Sequence, residues 1–293
     1  MANGKDRGIK PFAMSNLLLA TSKVMGQKLG QHFLKDKKAL HDIVGALEIK
    51  RGDVVIEIGP GHGELTEHLL VAGAKVIAIE KDPTLAQALI EKFQFLTSHF
   101  PSLTSHASFM IEGDALKVLP TLTSGLSLST NHYSIAGNIP YYITGHLLRI
   151  VGEMEHKPER VVLTIQKEVA QRVCAQKGKM NLLAACTQAW ARPKILRTIP
   201  AGSFSPPPKV DSAVLVLEIN DILKTENINA PSYYAFVRAL FKQPRKTILN
   251  NLIESGLDRE KATTALSNSG IHFSDRPAQT DVVDIIHILR CFH

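Results

Sequence analysis

The stretch from Tyr133 to Tyr141 reads YSIAGNIPY, and its last four residues have the types and spacing to do chemistry together. Asn138 carries a side-chain oxygen that accepts hydrogen bonds, and Ile139 presents a backbone carbonyl one residue later. Pro140 fixes its own φ and restricts the residue before it, so that carbonyl has a set direction. Two acceptors placed this way take both hydrogens of an exocyclic amine. An amine conjugated to a heteroaromatic ring, such as the 6-amino group of adenine, is a poor nucleophile because its lone pair is delocalised. Holding both hydrogens favours a pyramidal nitrogen whose lone pair is available. Tyr141 adds a ring face on which a planar base stacks. The same residues also suit an ordinary strand-end turn, where Asn and Pro are common.

A second group of residues reads as a cofactor site. IEIGPGHG (Ile56 to Gly63) places Gly59 and Gly61 in a turn where backbone can approach a ligand closely, and the next helix offers its N-terminal amides. VIAIEKD puts Glu80 at a strand end, where an acid accepts from ribose hydroxyls. EGDAL puts Asp114 and Ala115 after a third strand, with the Asp114 carboxylate free to accept from an adenine amine or to cap a helix. A dinucleotide fingerprint wants a third glycine where Glu64 stands, which favours S-adenosylmethionine over a nicotinamide cofactor. A methyl sulfonium is already activated, so neither metal nor covalent nucleophile is required, and alignment supplies much of the rate.

These residues need strand ends to hold them, and the sequence supplies them. DVVIEIG, AKVIAIE, ASFMIEGDAL, YSIAGNIPY, RVVLTIQ and VDSAVLVLEI read as strands. Helical spacing follows at Leu65, Leu69 and Leu70, at Leu85, Leu89 and Ile90 behind an Asp82 cap, and from Thr144 to Val151. Strands alternating with helices predict an α/β fold with a parallel, doubly wound, Rossmann-like sheet. Residues 93–108 read as a loop or a helix extension. The rhythm stops near Ile219. Four helical patterns follow, at Tyr233 to Phe241, Thr247 to Leu252, Ala262 to Leu266 and Val282 to Leu289. The expected division is a basic flexible tail at 1–25, a cofactor-binding domain at 26–219 and a small all-helical domain at 220–293.

Composition narrows the partners. The 293 residues are 44% hydrophobic and 21% charged, which fits a globular chain with a core and excludes overall disorder. No apolar run reaches the length of a membrane span, and no membrane partner is expected. Cys174, Cys186 and Cys291 make no CxxC pair, which argues against a disulfide scaffold or zinc site and suits a reducing cytoplasm. The net charge of +7 is grouped: residues 157–209 hold ten basic against two acidic side chains, and residues 231–247 hold four against none. Grouped positive charge suits a polyanion such as nucleic acid, although a scattered solvated surface shows some clustering too.

In chain order, GQKLGQHFLKD, IEIGPGHG, IEKD, GDAL, GNIPYYIT, QKEVAQR, FSPPPKVDSAV and FKQPRKT resemble the small-subunit rRNA adenine dimethyltransferase family, from about Gly26 to the C-terminus. The resemblance implies dimethylation, by S-adenosylmethionine, of each of two adjacent adenosines in the 3′-terminal hairpin loop of small-subunit rRNA, late in subunit assembly. It carries cofactor contacts onto His32, Leu34, Gly59, Gly61, Glu80, Asp114, Ala115 and Asn138. It places Phe204 across the target base from Tyr141; alone, Phe204 reads as a loop aromatic packed on the core. RNA contacts are expected at Lys167, Arg172, Lys209, Arg245 and Lys246. The expected partner is the immature small ribosomal subunit, and a cytoplasmic monomer is the expected form. Two departures touch RNA docking: Met180-Asn181 stands where a Tyr-Gly pair is frequent, and Pro244 where an arginine is frequent.

Three other readings share some of these features. A macrolide-resistance-type methyltransferase of the large subunit has the same cofactor and NIPY motifs, but FSPPPKVDSAV and the long helical end disfavour it. A nicotinamide oxidoreductase is opposed by Glu64 and by NIPY. A non-catalytic RNA-binding assembly factor on the same fold is opposed by the complete set of acids and Asn138.

Overall fold

A computed structural model describes residues 31–99, 109–125 and 132–292. The chain divides after Gln31, and the larger unit begins at His32. The tail expected at 1–25 lies outside the described residues, as do 100–108 of the segment read as loop or extension.

The strands are β1 (Phe33–Leu34), β2 (Val54–Ile58), β3 (Lys75–Glu80), β4 (Phe109–Glu112), β5 (Tyr133–Asn138), β6 (Arg160–Gln166), β7 (Ala191–Ile199), β8 (Phe204–Ser205) and β9 (Ser212–Ile219). Seven of them form one sheet in the order β4-β3-β2-β5-β6-β9-β7, and β1 pairs with β8 in a separate antiparallel ribbon. Alternate residues of the central strands face opposite sides. Ile56, Ile58, Ile77 and Ile79 join one apolar cluster with Leu119, Leu147 and Trp190. Val55, Val76 and Ala78 join another with Leu40, Ile43 and Leu69. Burial on both faces is why β2 and β3 are nearly continuous apolar runs.

The first helices flank this sheet: α1 (Lys37–Leu47), α2 (Glu64–Val71) and α3 (Pro83–His99). Asp36 caps α1 by accepting from the amides of Lys38 and Ala39, an element the strand–helix rhythm does not announce. Asp82 caps α3 through the amides of Thr84 and Leu85, and the helix runs past residue 93 to His99.

The sheet is mixed, which corrects the parallel expectation. β2, β3, β4, β5 and β6 run parallel, but β9 lies antiparallel to β6 and β7 antiparallel to β9. The connection from Ile199 to Ser212 holds four prolines and no α-helix, so it cannot make the helical crossover that parallel neighbours need. β7 itself is hidden in the sequence because it is an edge strand. Its polar residues Arg192, Lys194 and Thr198 face out, it tolerates Pro193, and its register shifts between Ile195 and Arg197.

After Ile219 the regular elements are helical: Ile222–Thr225, Ala230–Leu240, Ile248–Glu254, Arg259–Asn268 and Val282–Arg290, with a short 3-10 turn at Pro277–Gln279. Asp221, Asn229, Thr247, Asp258 and Asp281 cap the five helices in turn. Tyr233, Val237, Leu252, Leu266 and Ile285 pack into a cluster that also takes in Met180, Ala184 and Ala185. Met180 is buried there, while Asn181 caps the helix Leu182–Gln188 and donates to the Arg172 carbonyl. The Met180-Asn181 departure therefore makes packing and capping contacts in this chain.

Candidate active site

The strand order reverses direction between β2 and β5, because the chain builds outward through β3 and β4 and then returns. Crevices at such switch points hold ligands beyond the carboxyl ends of the strands. Here the two strands approach closely. A Cβ on Gly137 would lie 2.5 Å from the Ile58 carbonyl oxygen, so only glycine lets Asn138 sit beside the turn that follows β2. Gly59, Gly61 and Gly63 in that turn have φ of 66°, 60° and 85°, a region side chains rarely adopt. A Cβ on Gly61 would fall 2.8 Å from the Phe33 ring, which also packs on His62 with ring centroids 4.2 Å apart. Phe33 thus closes the turn from above, a role the sequence does not single out.

The glycine amides are already engaged. Gly59 donates to the Ile79 carbonyl, Gly63 to that of Pro60, and Gly61 to the Glu80 carboxylate at 3.2 Å. The turn therefore offers space, and the charged groups around it offer the specific bonds. Lys92 of α3 fixes it from behind, donating to the His62 carbonyl at 2.8 Å and pairing with Glu67 at 2.5 Å. Nothing in the sequence links Lys92 to a loop thirty residues earlier.

Glu80 is 3% exposed, and burial raises its carboxyl above the usual range. It accepts from the amides of Gly61, Lys81 and Asp82. Each carboxylate oxygen has two lone-pair sites, so Oε2 keeps room for a hydroxyl. Asp114 fills the capping role that the sequence allows and is held by a cation as well. Oδ1 caps the following helix at the Leu116 amide, and Oδ2 receives the Lys81 ammonium at 2.9 Å, which holds the acid below its usual range. Ala115 is buried beside it. The ends of β4, β3, β2 and β5 are neighbours at about 4.8 Å per strand, so Asp114 and Asn138 bracket a trough of about 14 Å. A ligand with an aminopurine, a ribose and a reactive far end fits that donor and acceptor set.

Asn138 Nδ2 donates to the His32 carbonyl at 2.7 Å. Among the described residues neither Asn138 Oδ1 nor the Ile139 carbonyl receives a hydrogen bond. Pro140 has φ −56° and ψ 135° and opens one 3-10 turn, Tyr141–Ile143. His32 ties this turn to the β1–β8 ribbon: its Nδ1 lies 2.8 Å from the Pro206 carbonyl, and its ring stacks with Tyr141 at 6.0 Å between centroids. Leu34 pairs with Phe204 in that ribbon, buried against the second face of the sheet.

Two expectations change with this geometry. Phe204 is 5% exposed within an apolar cluster, so it presents no open face opposite Tyr141. The Tyr141 hydroxyl bonds the buried Ser212 hydroxyl at 2.8 Å, so the phenol pins the ring as well as carrying it. Tyr141→Phe is expected to lower stability by about 1 kcal/mol, the net value of one such bond, while retaining adenosine binding. Urea unfolding checks the first part and calorimetry the second; unchanged stability would remove the pinning role.

Glu57, beneath the glycine turn, is fully buried, and its Oε2 has no hydrogen-bond partner among the described residues. Burial, with the Glu64 and Glu80 carboxylates adding, pushes its carboxyl up to about 8. A raised carboxyl favours the folded state while protonated. Its contribution is complete below about 4.5 and drains away as the pH rises toward about 8, by as much as about 1.4 kcal/mol per pH unit. Glu57→Gln keeps the shape without the charge, so the variant's Tm should gain on the parent's steadily from pH 5 to pH 8. A constant difference across that range would contradict the buried-acid reading.

The expected RNA contacts do not stand alike. The Lys167 amide bonds the Asp211 carbonyl, next to the Ser212 that holds Tyr141, and Lys209 is exposed. Arg172 and Arg245 are exposed, whereas Lys246 is paired with Glu254. Arg245→Ala should lower the slope of log affinity against log salt by roughly 0.7–0.9, and Lys246→Ala should lower it by much less. Equal changes in the two variants would show that the Glu254 pair does not shield Lys246.

Comparison with known proteins agrees with this geometry. Residues 24–292 match the family described as ribosomal RNA adenine dimethylase. The ribosomal RNA small subunit methyltransferase A of Dehalococcoides mccartyi (strain ATCC BAA-2266 / KCTC 15142 / 195) is 37% identical over 244 residues, covering 83% of this chain and 80% of that protein. Two crystal structures share the fold at 24% identity. A dimethyladenosine transferase from Plasmodium falciparum superposes with TM-score 0.74, covering 89% of this chain and 97% of its own. The 23S rRNA methyltransferase ErmE superposes with TM-score 0.66, covering 88% and 98%. The glycine turn, the two acids and the NIPY turn thus lie within a match that runs nearly from end to end, and the chain belongs to the ribosomal RNA adenine dimethylase family.

Proposed function

We propose that this protein transfers methyl groups from S-adenosylmethionine to the 6-amino groups of two adjacent adenosines in the 3′-terminal hairpin loop of small-subunit rRNA, dimethylating each. The observation that carries the reading is an Asn138 amide held by the His32 carbonyl, with its Oδ1 and the next residue's carbonyl, Ile139, both unengaged among the described residues at the end of β5. Glu80 would hold the ribose and Asp114 the adenine amine of the methyl donor, with His32, Leu34, Gly59, Gly61 and Ala115 shaping the pocket. When bound, the donor supplies an electrophilic methyl group on a sulfonium. Asn138 and Ile139 hold the acceptor amine by its two hydrogens, Tyr141 stacks on the base, and Phe204 forms the inner wall. The carboxamide and carbonyl stay neutral throughout, and the proton lost from the amine leaves to solvent.

Lys167, Arg172, Lys209 and Arg245 would meet phosphates, with residues 220–293 as an RNA-facing helical domain and residues 26–219 as the catalytic one. The likeness to ErmE is one of fold, and the small-subunit substrate rests on the curated relative. Among the described residues no helix is long and apolar enough to cross a membrane. We propose that the protein acts as a monomer on immature subunits in the cytoplasm. Labelled methyl transfer to unmethylated small subunits, with none to large subunits, is the expected result; the opposite preference would move the substrate to the large subunit.

A further inference from the structure

Next to Tyr141 stands a second tyrosine that the proposed chemistry does not use. Tyr142 is 61% exposed, and its hydroxyl makes no hydrogen bond to the described residues. Both neighbours are occupied: Tyr141 bonds Ser212, and Ile143 is buried. The turn therefore pins one aromatic ring through its hydroxyl and leaves the next one exposed.

Basic side chains lie near that ring, and two of them, Lys81 and Arg149, face the carboxylates Asp114 and Glu153. The phenol lies within electrostatic reach of the Lys81 ammonium, itself 49% exposed and bonded to Asp114. The exposed face of the helix Thr144–Glu153 continues from it with His146 and Arg149, four and seven residues on. An exposed aromatic with basic side chains nearby, next in the chain to the ring proposed to hold the target base, matches a stacking platform for single-stranded nucleic acid, where rings hold bases and cations hold the backbone. A flipped adenosine held by Tyr141 leaves its chain neighbour for the next ring, Tyr142.

We propose that Tyr142 is a stacking subsite for the nucleobase next to the target adenosine, so that the enzyme grips two consecutive bases at once. This rests on the proposed RNA substrate and deepens it: a subsite for the neighbour gives preference for paired purines over an isolated adenosine. The competing occupant is the cofactor's own adenine, because Lys81 and Asp114 are close by.

The test measures binding of a hairpin RNA with two adjacent loop adenosines, in saturating S-adenosylhomocysteine and at fixed salt. A second hairpin has one of the two adenosines replaced by an abasic site. Wild type should bind the abasic hairpin between about 5-fold and 150-fold more weakly, the range that one base–aromatic stack supports. Tyr142→Ala should bind the intact hairpin with a similar loss and show almost no further loss on the abasic one, and Tyr142→Phe should behave as wild type. Additive losses in Tyr142→Ala would overturn the subsite while leaving the RNA reading intact. A fall in S-adenosylhomocysteine affinity of Tyr142→Ala without RNA would also overturn it, giving the ring to the cofactor. Failure of wild type to bind the intact hairpin would overturn the subsite together with the proposed substrate.

Discussion

Replacing Asn138 by alanine is expected to lower turnover at saturating S-adenosylmethionine by on the order of a hundredfold or more. The side chain has two jobs, and the variant loses both. Its Oδ1 is the proposed acceptor for the reacting amine, and loss of one preorganised polar group of that kind costs about 3 kcal/mol in the transition state. Its Nδ2 holds the His32 carbonyl, so the β1–β8 ribbon loosens and cofactor affinity falls too. Turnover at saturation separates the first effect from the second. Single-turnover methylation of small subunits checks it, and a loss confined to KM would reassign Asn138 from the amine to the scaffold.

Glu80→Ala should weaken S-adenosylhomocysteine binding by about 1.5–3 kcal/mol, the scale for hydrogen bonds to a charged group. The geometry gives this loss two sources. On the proposed assignment a ribose hydroxyl loses its acceptor, and the Gly61, Lys81 and Asp82 amides lose theirs, so the glycine turn is also released. Glu80→Gln keeps one acceptor oxygen and should fall between the two. Calorimetry reads all three proteins, and unchanged affinity in the alanine variant would remove the ribose assignment.

Much of the scaffold behind these residues was legible in the sequence. VVIEI and KVIAIE show their burial directly, because parallel strands buried on both faces leave little else in the pattern. The caps were legible too: Asp82 stands before Pro83 and bonds the first turn of α3. What was hidden depends on contacts distant in sequence. Strand direction leaves no periodic mark, so β9 looked like one more parallel strand. β7 faces solvent along one edge, and its alternation is that of a loop with charges. Phe33, Lys92 and Gly137 act only where the fold brings segments together, Lys92 on a carbonyl thirty residues back and Gly137 on a neighbouring strand.

The candidate site divides the same way. Asn138, Glu80, Asp114 and the glycine turn are local motifs at strand ends, and the structure brings them to one crevice. The tie from Tyr141 to Ser212 spans 71 residues and could not be read. Nor could the different standing of Arg245 and Lys246, which are neighbours in sequence but are separated by what Glu254 does to one of them.

On the proposed reaction, two adjacent adenosines of the small subunit each gain two methyl groups at the 6-amino nitrogen. Mass spectrometry of the 3′-terminal hairpin fragment tests it most directly, using unmethylated small subunits incubated with the protein and S-adenosylmethionine and then digested. N6,N6-dimethyladenosine is expected at both neighbouring positions, with its loss when Asn138 is replaced by alanine. An unchanged fragment, or methyl groups on any atom other than the 6-amino nitrogen, would contradict it.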